Sequence, residues 1–303
     1  MPNRSPFALA ALANAAVRGL EPATAHPLVS PVDDLEIALI HDDQGRQWIV
    51  RAPSSPAAGV RLHQEARLLK GLAGWLPFHM PDVAGTAPLL EGGVALVHRF
   101  VPGDPLDLSG LKPGPGLAAA LGRALAAVHD LPIRLVEDAG MPIYSPEEYR
   151  TRRLAEVDRA AATGQVPARL MARWEKALEE AGAWRFVPCP VHGDLAADNV
   201  LVDGEEIVGI VDWAEARVAD PADDLGWIAM GADDDAFESV VEAYAMGRRE
   251  QPDRALVRRA RLAGELSVAR WLLHGVARDD AEVLDDAVKM LTDLDEAVAD
   301  TPW

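Results

Sequence analysis

Residues Val191 to Trp227 read VHGDLAADNVLVDGEEIVGIVDWAEARVADPADDLGW, with polar residues at fixed offsets around two short apolar runs. Val200-Leu201-Val202 predicts one strand and Ile207 to Val211 the next. Asp203-Gly204 between them is a dipeptide suited to the tight turn of an antiparallel hairpin. A hairpin brings both its ends to one place. Asp194 and Asn199 precede its first strand and Asp212 follows its second, so the three side chains can converge on one small volume. Two carboxylates and an amide offer oxygen donors, which suit a hard octahedral ion such as Mg²⁺ better than zinc.

Phosphoryl transfer from a nucleotide needs an Asp to orient the acceptor, with an Asn and a second Asp to hold Mg²⁺. HGDxxxxN over His192 to Asn199, followed by Asp212 at a strand end, matches that division of labour. The stretch resembles the aminoglycoside phosphotransferase-like branch of the protein-kinase fold, whose catalytic loop reads H-G-D-x-x-x-x-N and whose metal Asp sits in I-D-W. Within that branch, DWAEARVADPADDLGW is most similar to the macrolide 2′-phosphotransferases. Those enzymes typically carry His where Asn199 stands, so the Asn here is the form general to the wider branch.

The resemblance implies an α+β, bilobal protein-kinase-like fold. A small antiparallel-sheet lobe with an extra first helix would span residues 1–101, and a larger, mostly helical lobe would span 102–303. Asp194 would accept a hydrogen bond from the substrate hydroxyl, and Asn199 and Asp212 would hold Mg²⁺ between phosphate oxygens. His192 would brace the loop. Asp220 and Asp224 would hold the following loops by accepting backbone N–H bonds. Asp223 and the Asp233-Asp234-Asp235 run are expected as solvated residues at helix starts, or as attractors of a substrate ammonium.

Composition bounds the rest. A chain of 303 residues suits two lobes, and 49% apolar content is ample for burial. A formal charge of −19 with no basic stripe argues against a nucleic-acid partner. The same field would draw in a cationic substrate, or serve only solubility. The single cysteine, Cys189, excludes an internal disulfide framework and a cysteine-rich zinc site. No run approaches a membrane span. The opening FALAALANAAV is Ala-rich, has only Arg4 before it and continues into VRGL, so it reads as a packed first helix rather than a leader. The expectation is a cytoplasmic protein with no membrane partner, acting as a monomer.

Before the hairpin, a helix is expected from Ser5 to Leu20, then strands over Pro27–Ser30, Leu35–His41 and Gln47–Ala52. The turn from Ser30 to Asp34 stands where a kinase covers the phosphates, with Ser30 as its candidate contact, but it contains no glycine. Arg51 closes the third strand at the family's basic, phosphate-contacting position, usually Lys. As a guanidinium it would make a fixed bidentate contact. Glu65, fourteen residues on, lies in a helical stripe with Leu62, Ala66, Leu69 and Leu72 and would pair with Arg51. Val94 to Phe100 predicts a strand, and the V-P-G after it resembles the hinge between lobes. There backbone groups of His98, Phe100 and Val101 would meet the purine of GTP or ATP, with GTP favoured by the resemblance alone.

Beyond the hinge the reading is helical: Leu117–Asp130, Tyr149–Ala162, Pro167–Ala181 and a tail from Phe237 onward. The acceptor is the least legible part. A macrolide needs a wide apolar pocket with an acidic edge, and Trp227, Met230, Trp271 and His274 are the candidates for it, beside Phe237, Tyr244, Met246 and Leu272. The leading expectation is a kinase for the 2′-hydroxyl of a macrolide antibiotic, giving resistance. The alternatives are the same chemistry on an aminoglycoside, a ketosamine or a metabolic alcohol, and a nucleotide-binding pseudokinase.

Overall fold

The first helix, α1 (Pro6–Ala16), begins where Ser5 accepts a bond from Ala8 N at 3.3 Å and Pro6 sits at the first helical position. It is shorter than the apolar run that predicted it, because Val17 turns extended and leads into the sheet. A computed structural model describes residues 4–28, 34–90, 92–299 and 303 of the chain.

Five antiparallel strands follow: β1 (Pro22–Leu28), β2 (Leu35–Asp42), β3 (Gln47–Pro53), β4 (Val83–Pro88) and β5 (Val94–Arg99), in the order β1-β2-β3-β5-β4. β1 starts five residues before the expected strand at Pro27. It is a largely exposed edge strand with two prolines, so it carries no apolar alternation for a reader to find. The period of two divides the sheet cleanly. Ala38, Ile40, Trp48, Val50, Ala52, Ala95 and Val97 pack under Leu9, Ala10 and Ala13 of α1. Ile37, Ile49, Arg51 and His98 lie on the other face, where Ile37 pairs with Arg51 and Ile49 with His98. That face is covered in part by α2 (Pro56–Leu72), whose Leu62 and Ala66 meet Leu96.

The larger lobe opens with a short strand, β6 (Asp104–Pro105), then α3 (Leu117–His129), α4 (Ile133–Ala139), α5 (Pro146–Ala162) and α6 (Ala168–Glu179). α6 ends two residues earlier than expected, and Gly182 lies inside a single 3-10 turn, Ala181–Trp184. A two-stranded antiparallel pair, β7 (Cys189–Val191) with β10 (Arg217–Ala219), brackets the hairpin of β8 (Val200–Asp203) and β9 (Glu206–Ile210), to which β6 adds a third strand. The tail is α7 (Asp223–Gly231), α8 (Asp234–Gly247), α9 (Leu256–Arg278) and α10 (Ala281–Ala297).

One core joins the end of α2 (Leu68, Leu69, Leu72) to α3, α7 and α8, and so ties the two lobes together. A second packs α5, α6, α9 and α10 around Tyr149, Trp174 and Leu272. A clip at His79 strengthens the junction: His79 N donates to Val208 O at 2.8 Å and Ile210 N to His79 O at 3.0 Å. Among the described residues, no helix is long and apolar enough to cross a membrane.

Candidate active site

The loop between β7 and β8 is built from below. Asp224, fully buried in the first turn of α7, accepts His192 N at 2.7 Å and Gly193 N at 2.8 Å, one on each oxygen. His129 Nε2 reaches the same carboxylate at 3.1 Å, and its Nδ1 meets the Tyr244 hydroxyl at 2.8 Å. Burial alone would raise the Asp224 pKa, but the His129 bond and these amides hold it below the usual carboxylate value. His192 is buried with its ring edge toward Trp213, and Nε2 donates to Val211 O at 2.9 Å. That bond ties the loop to the chain just before Asp212.

Gly193 has φ +86°, and a Cβ there would stand 2.4 Å from Arg217 Nη1 and from Glu215 O. Only glycine fits both the backbone and the guanidinium behind it. The chain then leaves Asp194 exposed, with no side-chain hydrogen bond among the described residues. Asn199 Nδ2 donates to Asp194 O at 3.0 Å, and Val211 N to Asn199 O at 2.9 Å. Thus the amide of Asn199 is fixed at its nitrogen while its Oδ1 has no partner among the described residues.

Asp212 has φ +65°, a left-handed backbone that Asp tolerates better than most residues. Its Oδ1 accepts Arg51 Nη2 at 3.0 Å, while Arg51 Nη1 donates to Glu65 Oε1 at 2.5 Å. Glu65 is fully buried, and burial raises its pKa in spite of the Arg51 charge beside it. Arg51 and Asp212 then face a cavity of about 380 Å³ with Ile37, Ile49, Pro81, His98, Phe100, Val101, Gly103, Pro105, Leu201 and Val211. The sheet supplies Ile37 and Ile49, the hairpin supplies Leu201 and Val211, and the connection after β5 closes the far end. Gly103, with φ +139°, lets that connection pass within 2.9 Å of Leu201 Cβ, measured from where its own Cβ would be.

The structure therefore brings Arg51, Glu65, His98, Phe100, Val101 and Asp212 together, with Asn199 and Asp194 on the loop bonded to the Asp212 segment. Ser30 lies outside the described residues. Among those residues no three His, Cys, Asp or Glu side chains group closely enough to hold a metal ion. Asn199 Oδ1 and Asp212 Oδ2 are the residue oxygens that could hold a Mg²⁺ ion, and an amide and a carboxylate oxygen suit that hard cation.

Asp220 and Asp224 are both buried in support of the loops. Asp220 pairs bidentately with Arg259 at 2.7 and 3.1 Å and accepts Ala222 N at 3.0 Å, and burial raises its pKa even so. Asp223 corrects the expectation of a solvated helix-start residue. It is buried among Arg153 (2.9 Å), Arg217 (2.7 Å) and the Tyr149 hydroxyl. Burial would raise its pKa, but the two guanidiniums more than offset this and hold the carboxyl well below its ordinary range. Arg217 in turn donates to Gly193 O at 3.0 Å, so the cluster props the loop from behind. Arg217 within the otherwise apolar run Ala216–Ala219 was the available signal, since a buried cation needs a charged partner.

None of the four acceptor candidates lines the cavity. Trp227 Nε1 donates to Asp224 O at 2.9 Å, and Met230, one turn on, is 45% exposed. Trp271 stacks on His274, its neighbour along α9, and donates to Asp286 of α10 at 3.0 Å. Phe237, Tyr244 and Leu272 are buried core, while Met246 is exposed. The missed cavity residues Ile37 and Ile49 were available from the period of two, since Ile49 shares a strand face with Arg51.

Known proteins resemble this chain in sequence and in fold. Residues 25–262 match the model of the phosphotransferase enzyme family, APH. Viomycin phosphotransferase of Streptomyces vinaceus is 31% identical over 224 residues, covering 67% of this chain and 75% of that protein. The chain spans 65% and 75% of the length of the first two curated relatives it matches. The crystal structure of macrolide 2′-phosphotransferase MphH from Brachybacterium faecium, an apoenzyme, superposes with a TM-score of 0.77 at 25% identity, covering 94% of this chain and 97% of that one. The GDP complex of wild-type aminoglycoside 2′-phosphotransferase-IIIa shares the fold, with a TM-score of 0.80 at 17% identity over 96% of this chain and 98% of that one.

Proposed function

The chain belongs to the phosphotransferase enzyme family, and from that premise we propose that it is a small-molecule kinase acting on the 2′-hydroxyl of a macrolide antibiotic. The observation that carries the kinase reading is the meeting of Arg51 and Asp212 at one cavity, with Asp194 and Asn199 on the adjoining loop. The apolar walls suit a purine, and the charged end suits its phosphates. GTP or ATP is the donor in this reading. The lobes divide near residues 101 and 102, at the connection that lines the cavity.

When bound, Mg²⁺ held by Asn199 and Asp212 would neutralise charge on the phosphate oxygens. Arg51, kept in place by Glu65, binds phosphate at the inner end. Asp194 orients the acceptor hydroxyl toward the γ-phosphorus and takes its proton. A bond forms from the acceptor oxygen to that phosphorus as the bond to the β–γ bridging oxygen breaks. Little nucleophile activation is needed, so positioning is the main contribution.

The likeness to MphH over nearly the whole chain and the half-exposed apolar edge of Trp227 and Met230 favour a macrolide. The charge of −19 and the viomycin phosphotransferase relative favour a second reading, a cationic antibiotic acceptor. The chain acts in the cytoplasm, where nucleoside triphosphates are, and as a monomer. Titration with Mg²⁺-ATP and Mg²⁺-GTP in a calorimeter, followed by nucleotide turnover with each antibiotic, tests the reading. Saturable binding and turnover stimulated by a macrolide are expected; no binding of either nucleotide overturns it.

A further inference from the structure

His98 is a buried polar side chain, 6% exposed, on the wall of the cavity between Ile49 of β3 and the connection after β5. Its Nδ1 lies 2.9 Å from the carbonyl oxygen of Arg99. A carbonyl can only accept, so Nδ1 carries the proton in that bond. Burial, and to a smaller degree the Arg51 charge, pushes the His98 pKa down to about 4, so the ring is neutral at pH 7. A neutral imidazole with its proton on Nδ1 has a bare lone pair on Nε2. That nitrogen has no hydrogen-bond partner among the described residues, and the ring meets solvent only through its small exposed edge.

The cavity around it is otherwise apolar on both broad faces, Ile37 and Ile49 against Leu201 and Val211. A flat heteroaromatic ring fits such a slot, and a side-chain acceptor at its wall discriminates by what the ring's edge presents. We propose that His98 Nε2 reads the nucleobase by accepting a hydrogen bond from an exocyclic amino group of the purine. The proposal rests on the nucleotide reading of this cavity. Adenine offers such a group at C6 and guanine at C2. A purine with a carbonyl or a hydrogen at the position facing Nε2 leaves the lone pair unmatched, and a carbonyl adds repulsion between two acceptors. A site that hydrogen-bonds its ligand in this way rejects analogues that lack the group, because its own buried atom is then unpaired.

The test is calorimetric titration of four Mg²⁺-nucleotides: ATP, its 6-deaminated analogue purine riboside triphosphate, GTP, and ITP, which lacks the 2-amino group. Loss of the amino group is expected to weaken binding about tenfold for the base that His98 reads. The pair that shows the loss identifies whether the 6-amino or the 2-amino group is recognised. In His98→Leu the discrimination should disappear, with parent and analogue binding alike. In His98→Gln, whose amide oxygen can stand in for Nε2, part of it should return. Tight binding of every nucleotide with no loss in either pair overturns the assignment and spares the nucleotide reading. Discrimination that persists unchanged in His98→Leu also overturns it. No binding of any of the four overturns the nucleotide reading and this assignment with it.

Discussion

Arg51 Nη2 donates to Asp212 Oδ1 at 3.0 Å across 161 positions of sequence, and so joins the sheet of the small lobe to the loop of the large one. Arg51 is held on its other side by Glu65, which is fully buried. One guanidinium thus links a helix, a strand and the residue with the left-handed backbone beside the cavity.

Replacing Glu65 by Ala leaves a guanidinium with 6% side-chain exposure without its innermost carboxylate. Breaking a buried pair in this way costs about 3–5 kcal/mol. Urea unfolding of Glu65→Ala should show that loss, and nucleotide affinity should fall as Arg51 loses its fixed position. Arg51→Ala should weaken nucleotide binding as well. A variant with wild-type affinity would remove Arg51 from the phosphate role.

Asp194 stands on the opposite footing, exposed and with no side-chain hydrogen bond among the described residues, so loss of its carboxylate should leave the fold intact. Asp194→Ala is expected to lower kcat by about 10²- to 10⁴-fold, with the thermal midpoint and the nucleotide Kd unchanged. Retained transfer would show that another group takes the hydroxyl proton.

The Arg153–Asp223–Arg217 cluster makes a structural prediction about the same loop. Asp223→Ala removes the carboxylate shared by the buried Arg153 and the part-buried Arg217, and a cost of about 3–5 kcal/mol is expected in urea unfolding. Because Arg217 also holds Gly193 O, kcat should fall in this variant even at temperatures where it is fully folded. Circular dichroism and a turnover assay on the same sample separate the two effects.

Acid stability should report on Asp42. Burial by itself would raise its pKa, but bonds from Trp48 Nε1, Arg46 and Gln44 N hold it at about 2, against an ordinary value of 3.8. A carboxyl depressed in the folded state contributes stability that is present above its unfolded pKa. That contribution is lost as the pH falls toward the folded one. The wild type should therefore lose stability between about pH 4 and pH 2 more steeply than Asp42→Asn. Parallel curves would place the acid sensitivity elsewhere.

The legible parts of the molecule were those where chemistry and period agree. The hairpin was readable because Asp203-Gly204 marks its turn and the runs on either side are apolar. Arg51 and Glu65 were readable because a strand period and a helical stripe each point inward. β7 and β10 were not, because three-residue strands have no period to detect. α4, of seven residues, was missed for the same reason. Asp223 was misread because a carboxylate in a D-D pair looks solvated until Arg153, some seventy residues away, and Arg217 are folded against it. Trp271 looked like a ligand contact from its type, yet its partner Asp286 lies on α10, whose packing no local pattern records, and His274 stacks on Trp271 within α9.

The central claim is tested most directly by incubating the purified protein with Mg²⁺, GTP or ATP, and erythromycin, with kanamycin in parallel, and locating any transferred phosphate by mass spectrometry and ³¹P-coupled NMR. The account predicts a single phosphate on the 2′-oxygen of erythromycin's amino sugar, formed about 10²- to 10⁴-fold more slowly by Asp194→Ala. Nucleotide binding without phosphate on erythromycin, or phosphate on kanamycin alone, would contradict the macrolide assignment.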